Sequence, residues 1–565
     1  MATIEGVKRL AFDHVYEYEE LTSLLEAWAH AHSRICRLES IGPSWEGRHI
    51  WLVTLTNGDT GPALEKPGFL VEANIHSNEW TGSTAALNLI ERVLHGYGSD
   101  EKITRLVDTR CLYVVPRLNP DGAERALHEG RYIRSSVRPY PTSGPRRGLQ
   151  RKDIDKDGRV LFMRVRDPHG PWKKCSQEPR LLVSRDPDEI GGEYFRVYPE
   201  GEIEGYDGFT VKVAPPLEGL DIGVNLPGDW RAVGKRSISG PYPGSEPEIR
   251  AYLAAITSRP NITGHVAFHT FGGIILRPPS DAEDELPKLD KRVFEVFGAK
   301  ATELTGYPTI PWLNLITDKR SKSRSGAFDW FYEHLGLYTW TTELWNPQRE
   351  AGIPDGFHPS GWLSGDHPLE DALTLIGWSD RELDGKGFVD WYPFQHPQLG
   401  LIELGGWDMI NYWYNPPFKL LQREVSPHAD WIIFQALASP LLEVRSFDAR
   451  PAESDVYSVR LVLQNAGWLP TYVSQKALEG YLVRPISVEL ELPHDAQLIV
   501  GDLQAEAGQL EGAVENRAMS TWWSYKPDTD DLIVLSWVIK GRRGSEISVT
   551  AKHDRAGTTR ASTRL

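Results

Sequence analysis

The 565-residue chain predicts a mixed-sheet α/β/α domain over residues 1–438 followed by an all-β, Ig-like sandwich over residues 439–565. Three observations carry this reading. Up to about residue 438, short apolar runs of β type alternate with amphipathic helical stretches, the pattern of an α/β domain whose sheet is largely buried. Beyond that point the character changes to short alternating runs separated by turn residues, with almost no helical period. The 40% hydrophobic content, with 20 Trp, 21 Tyr and 17 Phe, is enough apolar material for large cores and far from the composition of disorder.

The elements follow in order. From Val15 the stretch VYEYEELTSLLEAWAHAHS places Tyr18, Leu21, Leu24, Leu25 and Trp28 three and four residues apart, a helical face. RICRLESIG and RHIWLVTLTN flank PSWEG, whose Pro and Gly favour a turn, and so predict a hairpin. GFLVEANI (68–75) reads as a buried strand, and TGSTAALNLIERVLHGYG as a helix ending in glycine. RCLYVVPRL (110–118), GHVAFHT (264–270) and LGLYTWTTEL (335–344) are further strands, with helices at SEPEIRAYLAAIT and LDKRVFEVFGAKATEL between them. About residues 138–216, crowded with Pro, Gly, Arg and Asp, read as a long surface insertion. The terminal module is expected from LLEVRSFDAR, VYSVRLVLQNAG, ISVELELP, LIVLSWVIKG and SEISVTAKH.

Charge and cysteine content narrow the function classes. A net charge of −16 gives no basic field to draw nucleic acid or an anionic membrane, and neither is expected as a partner. Cys36, Cys111 and Cys175 form neither a disulfide framework nor a CxxC knuckle. The N-terminal stretch has no apolar run of secretory or membrane-spanning length, which reads as cytoplasmic, a processed secreted form being the alternative.

The chemistry-bearing residues gather at strand ends. His76 and Glu79, in NIHSNEWTGS, follow the strand GFLVEANI and lie three residues apart in a turn, where two ligands can point one way. Alone the pair reads equally as a solvated His and Glu. His269 ends GHVAFHT and completes a two-His, one-Glu set suited to a catalytic zinc with a coordination position left open. Gly272 and Gly273 after it allow backbone to approach a ligand closely. His265, mid-strand on the same face, reads as a core histidine. Glu343 ends YTWTTELW at the same sheet edge, where a carboxylate can take a proton from water and pass it to a leaving amine.

Taken together, these residues resemble the zinc carboxypeptidases of the carboxypeptidase A type, metallopeptidase family M14. The resemblance runs over roughly residues 15–435. It includes SIGPSWEGRHIWLVTLT, the HxxE loop, VVPRLNPDG (114–122), GLDIGVN (219–225), GPYPGSEPEIRA (240–251), HTFGGIILRP and SGAFDWFYEHLGLYTWTTELW (325–345). It implies zinc-dependent hydrolysis of a peptide substrate, with Zn2+ on His76, Glu79 and His269, Glu343 as general base, and Arg134 polarising the scissile carbonyl. It also implies substrate contacts at Phe328, as the pocket floor, and at Asn225.

Two departures stand out against the family pattern. The adjacent Asn-Arg pair that grips the substrate carboxylate is replaced by Gly223 and Val224, and neither side chain can form a bidentate clamp. The mobile tyrosine expected before AFDWFY is absent from DKRSKSRSG, where Lys319, Arg320, Lys322 and Arg324 read as a solvated basic loop, with a cation placed near the pocket as the alternative. An amidase or deacylase that needs no terminal carboxylate is therefore the alternative. In the insertion, DIDKDG sets Asp153, Asp155 and Asp157 in the pattern of a Ca2+ loop, against the alternative of a solvated turn; its twelfth position is Arg164 rather than Glu. NPDG (119–122) reads as a structural turn. GLIELGG (400–406), with Glu403 and the upstream His396, carries no assigned chemistry.

Overall fold

The computed structural model describes residues 9–141, 146–228, 230, 238–279, 286–314, 330–353, 367–515 and 528–565. Its centre is an eight-stranded mixed sheet. The strands are β1 (Cys36–Pro43), β2 (His49–Leu55), β3 (Gly68–Ala73), β4 (Cys111–Val115), β5 (Ile262–Thr270), β6 (Ile274–Arg277), β7 (Thr309–Pro311) and β8 (Tyr338–Leu344). They lie in the order β1-β2-β4-β3-β5-β8-β6-β7. The inner strands β4, β3, β5 and β8 pair in parallel, and β1 with β2 forms the expected antiparallel hairpin. Every residue of β3 and β5 is buried, as central parallel strands covered on both faces require.

One face is covered by α1 (Tyr18–Ala31), α2 (Trp80–Gly96), α3 (Glu101–Thr109), α6 (Lys288–Thr305) and α8 (Phe418–Ala438), which share a core with Val71, Val266, Phe268 and Trp340. The other face carries α5 (Pro247–Thr257) and the turn Trp330–His334. These pack with Leu70, Tyr113, Ile75 and Ile222. The NPDG segment starts α4 (Pro120–Glu129) rather than ending in a free turn. Asn119 caps it by accepting from the Gly122 amide, and buried Asp121 accepts from Ser44 Oγ and Arg48 Nη1 at 2.7 Å each.

The described part of the insertion is built of strands, and its sheet reaches beyond its sequence span. Strands Phe162–Arg166, Trp172–Lys174, Leu182–Ser184 and Tyr194–Pro199 join Phe388–His396 and Gly400–Trp407 in a six-stranded sheet. Residues 388–407, adjoining α7 (Leu369–Leu383), thus complete the insertion's own sheet. This accounts for GLIELGG: Glu403 accepts a bidentate pair from buried Arg164 at 2.8 and 3.2 Å, and His396 bonds the Gly201 carbonyl at 2.9 Å. Both are structural.

After α8, the described residues of 442–564 form two four-stranded antiparallel sheets around one core, in which Val459, Leu461 and Trp537 face Val488, Leu490 and Val549. The sandwich expected from the alternating pattern is present. All three cysteines are buried and free. No helix among the described residues is long and apolar enough to cross a membrane.

Candidate metal centre and active site

The loop after β3 is shaped by Asn74, which adopts the left-handed region (φ 56°) and whose Nδ2 donates to the His76 carbonyl at 2.7 Å. The chain doubles back so that His76 and Glu79 precede the first turn of α2, with Glu79 in the capping position. Residues 133–135 lie along this loop: the Ile133 amide donates to Asn78 Oδ1 (2.8 Å), Ser77 Oγ to the Ser135 carbonyl (2.7 Å) and Ser135 Oγ to the Ile75 carbonyl (2.9 Å). This lacing delivers Arg134 to the site, although the sequence around it matches the family pattern only loosely.

Three donor atoms converge. His76 Nδ1 lies 2.9 Å from Glu79 Oε1, and His269 Nδ1 lies 3.0 Å from both Glu79 Oε2 and His76 Nδ1. Tetrahedral zinc with bonds of about 2.0–2.1 Å sets its ligands roughly 3.3 Å apart, so these separations fit the ion closely. Two ring nitrogens facing each other across a buried carboxylate are also the arrangement that a cation relieves. The donor set therefore fits zinc.

The sequence did not single out Asp221. Its Oδ1 lies 3.4 Å from His76 Nε2 and accepts from the Gly223 amide at 2.9 Å, while its Oδ2 accepts from Arg134 Nε at 3.1 Å. It fixes the ring so that Nδ1 faces the other ligands, as a carboxylate behind a metal-binding histidine does. Burial alone would raise its pKa, but Arg134 and His76 override this and hold the carboxyl well below the usual range. Gly223 follows at once, and a Cβ there would sit 3.3 Å from His76 Nε2. The signal was present in GLDIGVN, two positions before the missing clamp.

Arg134 spends two of its five donors on protein, the second on Glu79 Oε1 at 3.4 Å, and its side chain stays 43% exposed. Burial works against its charge, but Asp221 and Glu79 more than offset this and raise its pKa. Glu343 pairs in register with His269 across the parallel β5–β8 ladder, so the two side chains emerge side by side on one face. Burial pushes the Glu343 carboxyl up to about 7, with His269 pulling the other way. No hydrogen bond from a described residue occupies that carboxylate. Rings of Phe271, Tyr132 and Tyr414 form a wall nearby, with centroids 5.3 Å apart along the series.

Other expectations resolve as follows. His265 is not a ligand: its Nδ1 bonds Thr339 Oγ1 at 2.9 Å, its Nε2 lies 3.3 Å from the Tyr252 hydroxyl, and its ring stacks on Phe331 at 3.7 Å. Asn225 faces no substrate. It is fully buried, with Nδ2 donating to the Ser239 and Tyr242 carbonyls and Ser245 Oγ, and Oδ1 accepting from the Glu246 amide. It braces a loop. Gly272 and Gly273 let backbone approach β8 rather than a ligand, since their amides donate to the Trp345 and Glu343 carbonyls at 2.8 and 2.7 Å. In the insertion, Asp157 turns to Arg159 (2.6 Å), and the acidic cluster is formed by Asp153, Asp155 and Glu200 instead. Phe328 and the basic segment 319–324 lie outside the described residues.

Comparison with known proteins agrees with this geometry. Residues 21–361 match the family model described as zinc carboxypeptidase, and residues 441–564 match a domain of unknown function. Carboxypeptidase M of Mus musculus is 33% identical over 115 residues, covering 20% of this chain and 26% of that protein. The zinc carboxypeptidase of Saccharothrix mutabilis subsp. capreolus is 29% identical over 119 residues, covering 21% and 27%. The matched stretch thus spans only about a quarter of the length of these curated relatives. Among solved structures, carboxypeptidase A from Helicoverpa armigera aligns with 16% identity and a TM-score of 0.42, over 67% of this chain and 76% of that one. With the family model covering residues 21–361 of 565, the chain belongs to the zinc carboxypeptidase family.

Proposed function

We propose that the protein is a zinc-dependent metallocarboxypeptidase that hydrolyses peptide bonds at the site framed by His76, Glu79, His269 and Glu343. The observation that carries this reading is the convergence of two imidazole nitrogens and a carboxylate beside the half-buried Glu343, whose carboxylate takes no hydrogen bond from a described residue. A zinc ion held by His76, Glu79 and His269 would supply a Lewis acid that polarises a carbonyl and acidifies water.

The chain's own residues supply the rest. Glu343, raised towards neutrality by burial, accepts a proton from the attacking water at a carboxylate oxygen and delivers it to the leaving amine. Arg134, anchored on Asp221 and Glu79, keeps donors for the oxygen of the scissile carbonyl as charge builds there. Asp221 holds the His76 ring in one orientation throughout. The row of rings formed by Phe271, Tyr414 and Tyr132 lines one flank of the site.

The family match does not favour the amidase alternative raised by Gly223 and Val224, and one experiment separates the two. A blocked dipeptide ending in Phe is offered as free acid and as amide, with added Zn2+ and with a chelator. Chelator-sensitive cleavage of the free acid alone is expected. Equal cleavage of both would overturn the carboxypeptidase reading in favour of an amidase. In the same assay Glu343→Gln is expected to lower kcat by about 10²–10⁴-fold while zinc remains bound.

A further inference from the structure

We infer that the C-terminal sandwich acts as a positioning module for the active site, gripping the turn Trp330–Leu337 through Arg555 and Ser474. The residues on each side of the grip are specific. Arg555 is buried, and its guanidinium donates to backbone carbonyls of Leu335 (2.5 Å), Gly336 (3.4 Å) and Tyr472 (3.3 Å). Among the described residues it has no carboxylate partner. A buried guanidinium hydrogen-bonded to carbonyls rather than to a carboxylate is an expensive way to hold two β-modules together where apolar packing would serve, so its placement on this one turn is informative. Ser474 Oγ adds a second bond to the Gly336 carbonyl at 2.7 Å. Gly336 sits in the left-handed region (φ 61°) and packs so tightly on the sandwich that a Cβ there would lie 2.5 Å from Ala477 Cβ.

Asp290 of α6 closes the grip. Its two carboxylate oxygens accept from the Tyr332 and Tyr338 hydroxyls (2.8 and 2.9 Å) and from the Gln475 and Lys476 amides (2.7 and 3.0 Å), while Lys476 pairs with Glu333. One buried carboxylate thus ties the catalytic domain's turn to the first amides of the sandwich's short helix.

What the turn carries explains why its position matters. Phe331 stacks on His265, which lies four residues before the ligand His269 on the same strand face. The backbone of Trp330 lies so close to Gly228 that a Cβ there would fall 2.8 Å from the Trp330 amide nitrogen. Trp330 and Phe331 also share one apolar cluster with Ile75 and Ile222, the residues adjoining His76 and Asp221. Release of the turn would loosen the apolar floor behind the metal loop without removing any ligand.

The kinetic arm of the test rests on the peptidase reading, and the exchange arm does not. Full-length Arg555→Ala, Arg555→Lys and Ser474→Ala are compared with the unmodified protein for zinc content, KM, kcat and hydrogen exchange of amides 330–338. Arg555→Ala is expected to raise KM about tenfold, with kcat and zinc content nearly unchanged and exchange of the turn accelerated. Arg555→Lys should recover part of the loss, and Ser474→Ala should move in the same direction by less; these two carry the test if Arg555→Ala fails to fold. Unchanged KM and unchanged exchange, with only a lower Tm, would overturn the inference. If the unmodified protein cleaves no peptide, the peptidase reading falls and the exchange rates alone decide whether the grip exists.

Discussion

Two clusters of metal-type ligands occur among the described residues, His76-Glu79-His269 beneath α2 and Asp153-Asp155-Glu200 in the insertion, and they differ in what their donor atoms already do. In the first, the lone pairs face one another across about 3 Å, and the bonds that orient them come from behind, through Asp221 and Arg134. In the second, the oxygens already accept hydrogen bonds, mostly from their own loop. Asp153 accepts the Lys156 and Gly158 amides, Glu200 accepts those of Ile154 and Leu161, and Asp155 takes the Tyr392 hydroxyl. A cluster held from outside leaves its lone pairs directed at one another, whereas one that bonds its own loop braces a turn.

The largest effect expected from this contrast comes from breaking each cluster in turn. His269→Ala should abolish zinc retention and peptide cleavage, because two remaining donors cannot hold the ion in a dry site. Asp153→Asn should leave both intact and lower Tm by a few degrees at most. Metal analysis and turnover measured side by side check the pair, and a loss of activity in the Asp153 variant would erase the distinction drawn here. Titration gives the matching readout: zinc at about a hundred times its Kd should stabilise the fold by roughly 2.7 kcal/mol, and calcium should leave Tm where it was.

A smaller effect sharpens the first half of the comparison. Asp221→Asn keeps the shape but removes the charge that holds His76 and Arg134, so zinc affinity should fall about 10–100-fold. A metal-competition assay reads this directly. Unchanged affinity would mean that the hydroxyl bonds of Ser77 and Ser135 to the loop backbone orient His76 unaided.

Which parts of this were legible in the sequence depends on how local the signal is. The strand ends bearing His76, His269 and Glu343 announce themselves, because buried parallel strands are apolar runs and a His or Glu at their end is conspicuous. Asp221 lay in a quoted motif, but its role depends on a turn folding against His76 from 145 residues away, and no periodicity encodes that approach. The insertion's sheet was hidden for the same reason, since strands 162–199 find their partner in Gly400–Trp407. Asn225 shows the converse error: its place in a family-like block suggested a substrate contact, while its neighbours Ser239, Tyr242 and Ser245, invisible as neighbours in sequence, occupy its amide.

A last measurement separates a braced carboxylate from a metal ligand by its titration. Burial, reinforced by Asp155 and Asp153, pushes Glu200 from 4.5 up to about 7, although the Leu161 and Ile154 amides oppose the shift. A carboxyl with a raised folded-state pKa contributes stability that is fully present below the unfolded value and lost as pH rises through the folded one. Glu200→Gln cannot ionise, so its stability relative to the parent should climb between about pH 4.5 and pH 7 and level off above, by on the order of 3 kcal/mol at most. Chemical denaturation across that range measures the difference curve. A flat curve would mean that Glu200 ionises freely. A sloping curve that calcium flattens would mean that the turn takes an ion after all, because a bound cation would keep the carboxylate charged at every pH in the window.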